Sequence, residues 1–424
     1  MVDSDHDATN DGAIVVSNAD GASGIETIGD RQSDIVNSGT ITIDETYTPT
    51  DVDNDGDIDG PFAVGTDRAG IRIRGNLTGN IVNSGKIVVE GNDSAGILVA
   101  GTLNGSFVHN GETSIVGDGN VGVELQDVTG DVRLAGTVAA AGEDAVAARF
   151  AGDLDGTLVV QGTIASTGYR LVTPPANTSK LDADDLLQGG SAILIEGDVT
   201  GGIRFATAPA DANKDDPDED KDGIEDAKEG NAKVTSYGAA PAVVIGGANR
   251  DIAVGALPAT GTGFGIIVDG SISGQGVYAG VDGNGMVIGG RDVAIAGGMA
   301  INGSVSATSK DSNATAIRFG AGATTPELRN AGTISATGGG SETTGAAAVV
   351  IDAGANLPYV RNSGEIKAVA LKDAGSATAI LDRSGTLQLV ENSGKISASG
   401  AKAGTGRNIA IDLSSVSAGA TVRQ

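Results

Sequence analysis

The chain contains no cysteine and no tryptophan, and aromatic residues make up only 3% of its 424 residues. The absence of cysteine excludes a disulfide framework and a thiolate nucleophile. A compact globule of this size usually anchors its core with large aromatic side chains. Since the apolar 39% consists mainly of Ala, Val, Ile and Leu, the composition favours thin, repeated layers over one thick core.

Positive charge is also scarce, because 27 Lys and Arg stand against 55 Asp and Glu and the net charge is −28. Such a surface repels nucleic-acid phosphates and anionic lipids, and it favours a soluble exterior or one that collects divalent cations. No apolar run is long enough for a helical membrane span, so no membrane insertion of this segment is expected. The lack of cysteine also fits passage through an oxidising compartment.

No signal peptide is expected at the start of the chain. The start, Met1-Val-Asp-Ser-Asp, lacks the basic and apolar regions of a signal peptide. If the protein is exported, we expect this chain to be a mature part with an added start Met. The chain stops at Gln424 inside a repeat, which predicts further sequence beyond it.

One phrase recurs along the chain: an apolar pair, Asn, a small residue, Gly, a polar residue and then alternating apolar residues. Asn-Ser-Gly copies begin at Asn37, Asn83, Asn362 and Asn392, and variants surround Asn110, Asn302 and Asn330. The turn glycine recurs at positions 85, 111, 136 and 162, and again at 303, 332, 364 and 394. These steps indicate repeats of about 25–32 residues, as in solenoid proteins.

A second phrase precedes the first by about half a repeat, as at Ala69-Gly-Ile71-Arg-Ile73, and a short third strand sits between them. Each predicted strand has period-2 alternation and is bounded by Gly, Asn or Asp. Three strands per repeat make one coil, which pairs in parallel with the coils before and after it. The sequence therefore predicts an all-β fold, a single right-handed parallel β-helix over residues 1–424 with roughly 13–14 coils.

The Asn-x-Gly turn has a structural explanation. We expect the corner Gly to adopt a positive φ without Cβ strain, and Asn to tolerate the left-handed conformation. Asn side chains stacked coil on coil can also form an amide ladder. The ladder should lapse in mid-chain, where Leu134 and Val160 occupy the Asn position.

Three stretches break the period and are predicted to project from the rod as loops, at residues 45–63, 169–190 and 207–238. The first and third are acidic, and the second contains Pro174-Pro175. The scattered aromatic residues Phe62, Tyr169, Phe205 and Tyr237 lie in or beside these loops. We expect them to hold the insertions against the rod.

Both acidic insertions contain the spacing D-x-D-x-D-G. Alternate carboxylates surround one hard cation, and the Gly allows the sharp turn that brings later oxygens into the coordination shell. The predicted cofactor is calcium, with the candidate ligands Asp51, Asp53, Asp55, Asp57, Asp59, Asp211, Asn213, Asp215, Asp218, Asp220, Asp222, Asp226 and Glu229. The alternative is a solvated acidic loop without metal, because blocks of like charge are commonly disordered.

The third insertion resembles the Asp-rich calcium loops of thrombospondin type 3 repeats and dockerins. Glu229 stands at the twelfth position counted from Asp218, where an EF-hand carries its bidentate ligand. The segment departs from an EF-hand because Ile224 comes one place early and no helix pattern flanks the loop. The resemblance therefore implies calcium without EF-hand geometry.

Support for catalysis is weak, and no catalytic residue is predicted. The two histidines, His6 and His109, belong to no recognisable Ser/His/Asp set and are expected at the surface. Polysaccharide-cleaving β-helices need clustered carboxylates or a basic residue on one strand face, together with aromatic platforms for sugar. Here the acids concentrate in the inserted loops.

The Asn-Ser-Gly-x-Ile phrase, the richness in Gly, Ala, Thr, Ser and Asp, the lack of Cys and the acidic charge resemble the passenger regions of bacterial autotransporters and related repeat-rich surface proteins. The resemblance implies export and display at the bacterial cell surface, as an adhesin, a self-associating filament or a surface-layer-like coat. Its partners would be further copies, neighbouring surface proteins or glycans.

A second hypothesis is a secreted carbohydrate-active β-helix that cleaves polysaccharides. An acidic or basic cluster inside a groove on one exposed strand face would favour this alternative.

Overall fold

The computed structural model describes residues 6–52, 58–221, 223–417 and 419–424. The chain winds into a right-handed parallel β-helix, as the repeat predicted. Each coil adds one strand to sheet A, then one to sheet B and one to sheet C, and these sheets contain 13, 12 and 12 parallel strands. Within the described residues, no helix is long and apolar enough to cross a membrane.

The strands of the three long sheets have the following bounds. Sheet A consists of Ala8–Asn10, Ile35–Asn37, Ile81–Asn83, Phe107–His109, Val132–Leu134, Leu158–Val160, Ile203–Phe205, Ile266–Val268, Met299–Ile301, Glu327–Asn330, Tyr359–Asn362, Leu389–Asn392 and Thr421–Arg423. Sheet B consists of Ala13–Ser17, Thr40–Asp44, Lys86–Glu90, Glu112–Val116, Thr137–Ala141, Thr163–Thr167, Lys233–Tyr237, Ser271–Gly276, Ser304–Ser309, Thr333–Gly338, Glu365–Ala370 and Lys395–Ser399. Sheet C consists of Ser23–Thr27, Ala69–Ile73, Ala95–Val99, Val121–Leu125, Val146–Phe150, Ile193–Ile195, Val243–Ile245, Gly283–Ile288, Ala314–Phe319, Gly345–Ile351, Ser376–Asp382 and Arg407–Asp412.

Shorter elements complete the coils. Two small parallel sheets lie between sheets C and A, formed by Arg31–Gln32, Leu77–Thr78 and Leu103–Asn104 and by Asp251–Val254, Asp292–Ile295 and Ala323–Thr324. Short 3-10 helices occur in the loops, at Thr178–Lys180, Asp226–Lys228 and Pro258–Thr260.

The core is a set of apolar columns that run along the rod. Ile35, Ile81 and Phe107 occupy one register position in successive strands of sheet A, and all three are fully buried. Strand alternation turns every second residue inward, so each coil adds a thin layer to a continuous core. Each fully buried Ile or Phe side chain contributes about 1.5–3 kcal/mol of apolar burial.

The corner glycines also form a column. The reason that glycine is required there differs from the one expected. A Cβ on Gly85, Gly111 or Gly136 would collide with the carbonyl oxygen of the glycine one coil earlier. These glycines do not have a positive φ, so the expectation of left-handed backbone is wrong at these positions. Gly is required because successive coils approach one another more closely at this corner than a Cβ permits.

We predict that Gly111→Ala destabilises the rod by about 2 kcal/mol or more, because the collision involves rigid backbone of the neighbouring coil. Gly12→Ala is the matched control, since Gly12 occupies the same turn in the first described coil and has no atom within 4 Å of an added Cβ. Urea unfolding of both variants tests this. Equal stability of the two variants would contradict the close-approach explanation.

The predicted amide ladder exists in two segments. Asn10 Nδ2 donates to Asn37 Oδ1 over 2.7 Å, and Asn37 Nδ2 donates to Asn83 Oδ1 over 2.6 Å. The second segment joins Asn330 to Asn362 and Asn362 to Asn392, each over 2.7 Å. The predicted lapse in mid-chain is confirmed, because the Asn position holds buried apolar residues at Leu134, Val160, Phe205, Val268 and Ile301.

His109 ends the first segment of the ladder. The expectation that it lies at the surface is wrong, since its side chain is fully buried. Asn83 Nδ2 contacts His109 Nδ1 at 2.9 Å, and His109 Nε2 contacts the Thr137 carbonyl oxygen at 3.0 Å. Because Asn83 donates and the carbonyl accepts, the ring must be neutral with its proton on Nε2. Burial lowers the pKa of His109 to about 4, against a smaller opposing effect of the Thr137 carbonyl.

We predict that His109 makes the rod less stable in acid. The folded pKa lies below the unfolded value of about 6.5, so the unfolded chain takes up the proton first, and stability is lost as pH falls from 6.5 toward 4. Between pH 7 and pH 4.5 the loss from this residue should be about 2–3 kcal/mol.

His109→Asn is the matched comparison, because an Asn can keep both ladder contacts without titrating. Carboxylates titrate equally in both proteins, so the difference between their unfolding free energies isolates the histidine. If the two proteins lose the same stability between these pH values, His109 is not the acid-sensitive group.

The insertions leave the rod at its corners. The strand Lys233–Tyr237 pairs on both sides within sheet B, so the third insertion spans residues 206–232 and not the whole of 207–238. A further insertion at residues 255–265 was not predicted. It is short and apolar, and its Leu257 and Phe264 pack against Ile267 and Ala300 on the outer face of sheet A.

Candidate cation site in the inserted loops

The first and second insertions meet, although more than 100 residues separate them. Both follow a strand of sheet B, so both project from the same corner of the rod. The Gly60 N–H donates to Asp184 Oδ2 over 2.7 Å. The Arg170 guanidinium donates to the Gly60 carbonyl oxygen and lies 4.5 Å from the centre of the Phe62 ring. The two loops therefore form one lobe.

Tyr169 attaches this lobe to the rod, as its position suggested. Its ring is buried and packs edge-on against Tyr278, with 4.7 Å between the ring centres. The Tyr278 hydroxyl donates to the Leu171 carbonyl oxygen over 2.7 Å. The second insertion is thus anchored to a turn that follows sheet B two coils further on.

An acidic trio lies where the two insertions meet. Carboxylate oxygens of Asp59, Asp182 and Asp184 lie within 4.8 Å of one another, close enough for one cation to contact all three. Asp59 is positioned by an antiparallel bridge to Thr50 and by the Val52 N–H, which donates to its carboxylate. No comparable trio occurs elsewhere in the part of the chain that the structure describes.

The trio concentrates negative charge at a partly exposed position. A hydrogen bond between the Asp182 and Asp184 side chains raises the pKa of Asp182 and lowers the pKa of Asp184. The Gly60 N–H and the Arg170 guanidinium also lower the pKa of Asp184. A divalent cation bound between the three carboxylates would offset most of their negative charge.

The predicted ligands of the first insertion have different positions. Asp53, Asp55 and Asp57 lie outside the described residues, Asp51 is exposed, and Asp59 belongs to the trio. Asp182 and Asp184 were not among the predicted ligands. Alternate carboxylates in Asp182-Ala-Asp184-Asp185 were the available signal.

The third insertion forms a separate acidic group, because it follows a strand of sheet A and leaves another corner. Partial burial raises the pKa of Asp226, and the charges of Asp211, Glu219 and Asp218 raise it further. Glu219, which was not predicted, accepts hydrogen bonds from the N–H groups of Ala212 and Asn213 over 3.1 and 2.7 Å. The other predicted positions of this loop are exposed, at Asn213, Asp215 and Asp220, or lie outside the described residues, at Asp222.

Glu229 contacts the rod itself. Its side chain is only 2% exposed, and its Oε1 lies 3.4 Å from the Arg133 guanidinium. The Gln161 side-chain amide donates to the same oxygen over 3.1 Å. These contacts link the end of the third insertion to two earlier coils. A role in holding the loop therefore competes with the predicted role as a twelfth-position ligand.

We predict that Glu229→Gln lowers the stability of the rod by about 1–3 kcal/mol, because a nearly buried charged partner of Arg133 is lost. The heat of calcium binding should remain unchanged. Glu225→Gln is the matched control, since Glu225 is exposed and forms an ion pair with the exposed Lys228. Calorimetry and thermal unfolding of both variants measure the two effects. A lost calcium heat in Glu229→Gln alone would instead identify it as a ligand.

A polar groove runs along sheet C, away from both acidic loops. Its volume is about 360 Å³, and four successive coils line it, including Asp282, Asn313, Arg318, Thr378 and Arg383. Asp352 joins the two arginines, at 2.9 Å from Arg318 Nε and 3.2 Å from Arg383 Nη1. The rod therefore carries a charged cluster within a groove on one exposed strand face.

Comparison with protein-family models, with curated proteins and with solved structures finds no match to this chain.

Proposed function

We propose that the chain is an exported, calcium-binding β-helical rod that acts at the bacterial cell surface, in coat formation, adhesion or self-association. The observation that supports this most is the continuous column of three parallel sheets with a fully buried core. Such a column is stiff and extended, and each coil offers side chains and loops along its length. This architecture suits a protein that spaces or displays contacts.

Calcium is proposed as the cation of the inserted loops. Two D-x-D-x-D-G segments support it, as does the trio of Asp59, Asp182 and Asp184 between the first two insertions. A hard divalent cation prefers carboxylate oxygens, and binding there would stabilise the lobe against the repulsion of its own charges.

We predict that calcium raises the melting temperature of the chain and that Asp59→Asn with Asp184→Asn reduces both this shift and the calorimetric heat. The control is Asp155→Asn with Asp20→Asn, which removes the same charge from exposed positions outside the trio. Chelated protein gives the reference state. No heat and no melting shift in the unaltered chain would contradict calcium binding.

Surface display has its own test. Antibodies against this chain should label intact source cells as strongly as permeabilised cells, and sedimentation should show concentration-dependent association of the purified chain. Labelling only after permeabilisation would overturn the proposed location.

Polysaccharide cleavage remains a second candidate, and the groove on sheet C is the observation that favours it. Arg318 and Arg383 line this groove on an exposed strand face, and Asp352 pairs with both arginines. Incubation with a panel of acidic and neutral polysaccharides, followed by measurement of new chain ends, tests this function. Absence of new chain ends would count against it.

A further inference from the structure

The charge of the rod is distributed very unevenly. Residues 1–281 contain 15 Lys and Arg against 44 Asp and Glu, whereas residues 282–424 contain 12 against 11. The groove on sheet C lies wholly in the second, nearly neutral part. An anionic ligand is therefore repelled by most of the rod but can approach this region.

The floor of the groove is built from two register columns. Asn284, Thr315, Ala347 and Thr378 form one column, and Val287, Arg318, Val350 and Leu381 form the other. Between the columns two consecutive residues point inward in each strand, for example Ala316 and Ile317. This break in alternation recurs at the same register in the four coils that line the groove, so the groove continues along the rod axis there.

The groove offers donors that the protein does not use fully. Arg318 and Arg383 share the single carboxylate of Asp352, although each guanidinium carries five N–H donors. Both arginines are about half exposed, at 41% and 52%. Within the described part of the chain, the hydroxyl groups of Thr315 and Thr378 make no hydrogen bond to protein.

These features select a class of ligand. A pair of guanidinium groups recognises carboxylate or sulfate in a bidentate manner, and hydroxyl and amide groups recognise sugar hydroxyls. A protein segment would need apolar pockets, while the lining is predominantly polar. A single-stranded nucleic acid would need a strongly positive groove that follows its backbone, whereas the charged residues of the lining are two arginines and one aspartate.

We infer that the groove on sheet C binds an acidic oligosaccharide, a sugar chain with carboxylate or sulfate groups that lies along successive coils. Arg318 and Arg383 bind its acidic groups, and Thr315 and Thr378 bind its hydroxyls. This inference rests on the proposed adhesive function, for which it names the class of ligand.

Calorimetry at low salt tests the inference, with tetragalacturonate, a heparin-derived tetrasaccharide and a neutral galactose tetramer as probes. We expect binding of at least one acidic probe, weaker binding of the neutral one, and loss of affinity as salt screens the arginines. Arg318→Gln with Arg383→Gln should weaken acidic binding at least tenfold. The two acidic probes distinguish a carboxylated source from a sulfated one.

The matched control is Arg250→Gln with Arg291→Gln, which removes the same charge outside the groove, where these arginines pair with Asp153 and Asp251. If the arginine variant melts early, Thr315→Val with Thr378→Val replaces it and should weaken binding several-fold. Failure of both acidic probes to bind, or equal weakening by the control, overturns the inference. Neither result affects the calcium and surface-labelling measurements, so failure of the proposed function is seen separately.

Discussion

Parallel backbone hydrogen bonding between successive coils is the constraint on which the rest of this protein depends. It holds one register through all 13 strands of sheet A, so each position of a coil lies directly beside its equivalents in the neighbouring coils. Each side chain must therefore be compatible with the equivalent side chains of the neighbouring coils, which together form a column along the rod. Apolar columns form the core, and the corner glycines form a column because the coil one step earlier places a carbonyl oxygen where a Cβ would lie.

The same stacking makes buried polar groups tolerable. An Asn side chain in the core would be costly alone, but a column of Asn residues satisfies each amide with the next. His109 fits at the end of such a column because one ring nitrogen accepts from Asn83 while the other donates to Thr137. A ladder of this kind needs equivalent partners in consecutive coils, which explains why it stops completely where Leu134 takes the position.

The rod also determines where chemistry is possible. Insertions that follow the same sheet leave from the same corner, so Asp59 and Asp184 become neighbours despite their separation in sequence. Residues at one register position become the floor of a groove, as Thr315 and Thr378 do on sheet C. The proposed cation site therefore depends on the shared corner from which the two insertions leave. The proposed oligosaccharide site depends on the alignment of equivalent residues in successive coils.

The sequence by itself determined the parallel β-helix, its coil length, the lapse of the amide ladder and the existence of three insertions. These features are periodic, so each coil encodes them locally. Only the tertiary structure decided why Gly111 must be glycine, that His109 is buried, that the first two insertions meet, and that Glu229 contacts Arg133. These features depend on the distance between coils and on the corner from which each loop leaves. The local pattern of residues determines neither of them.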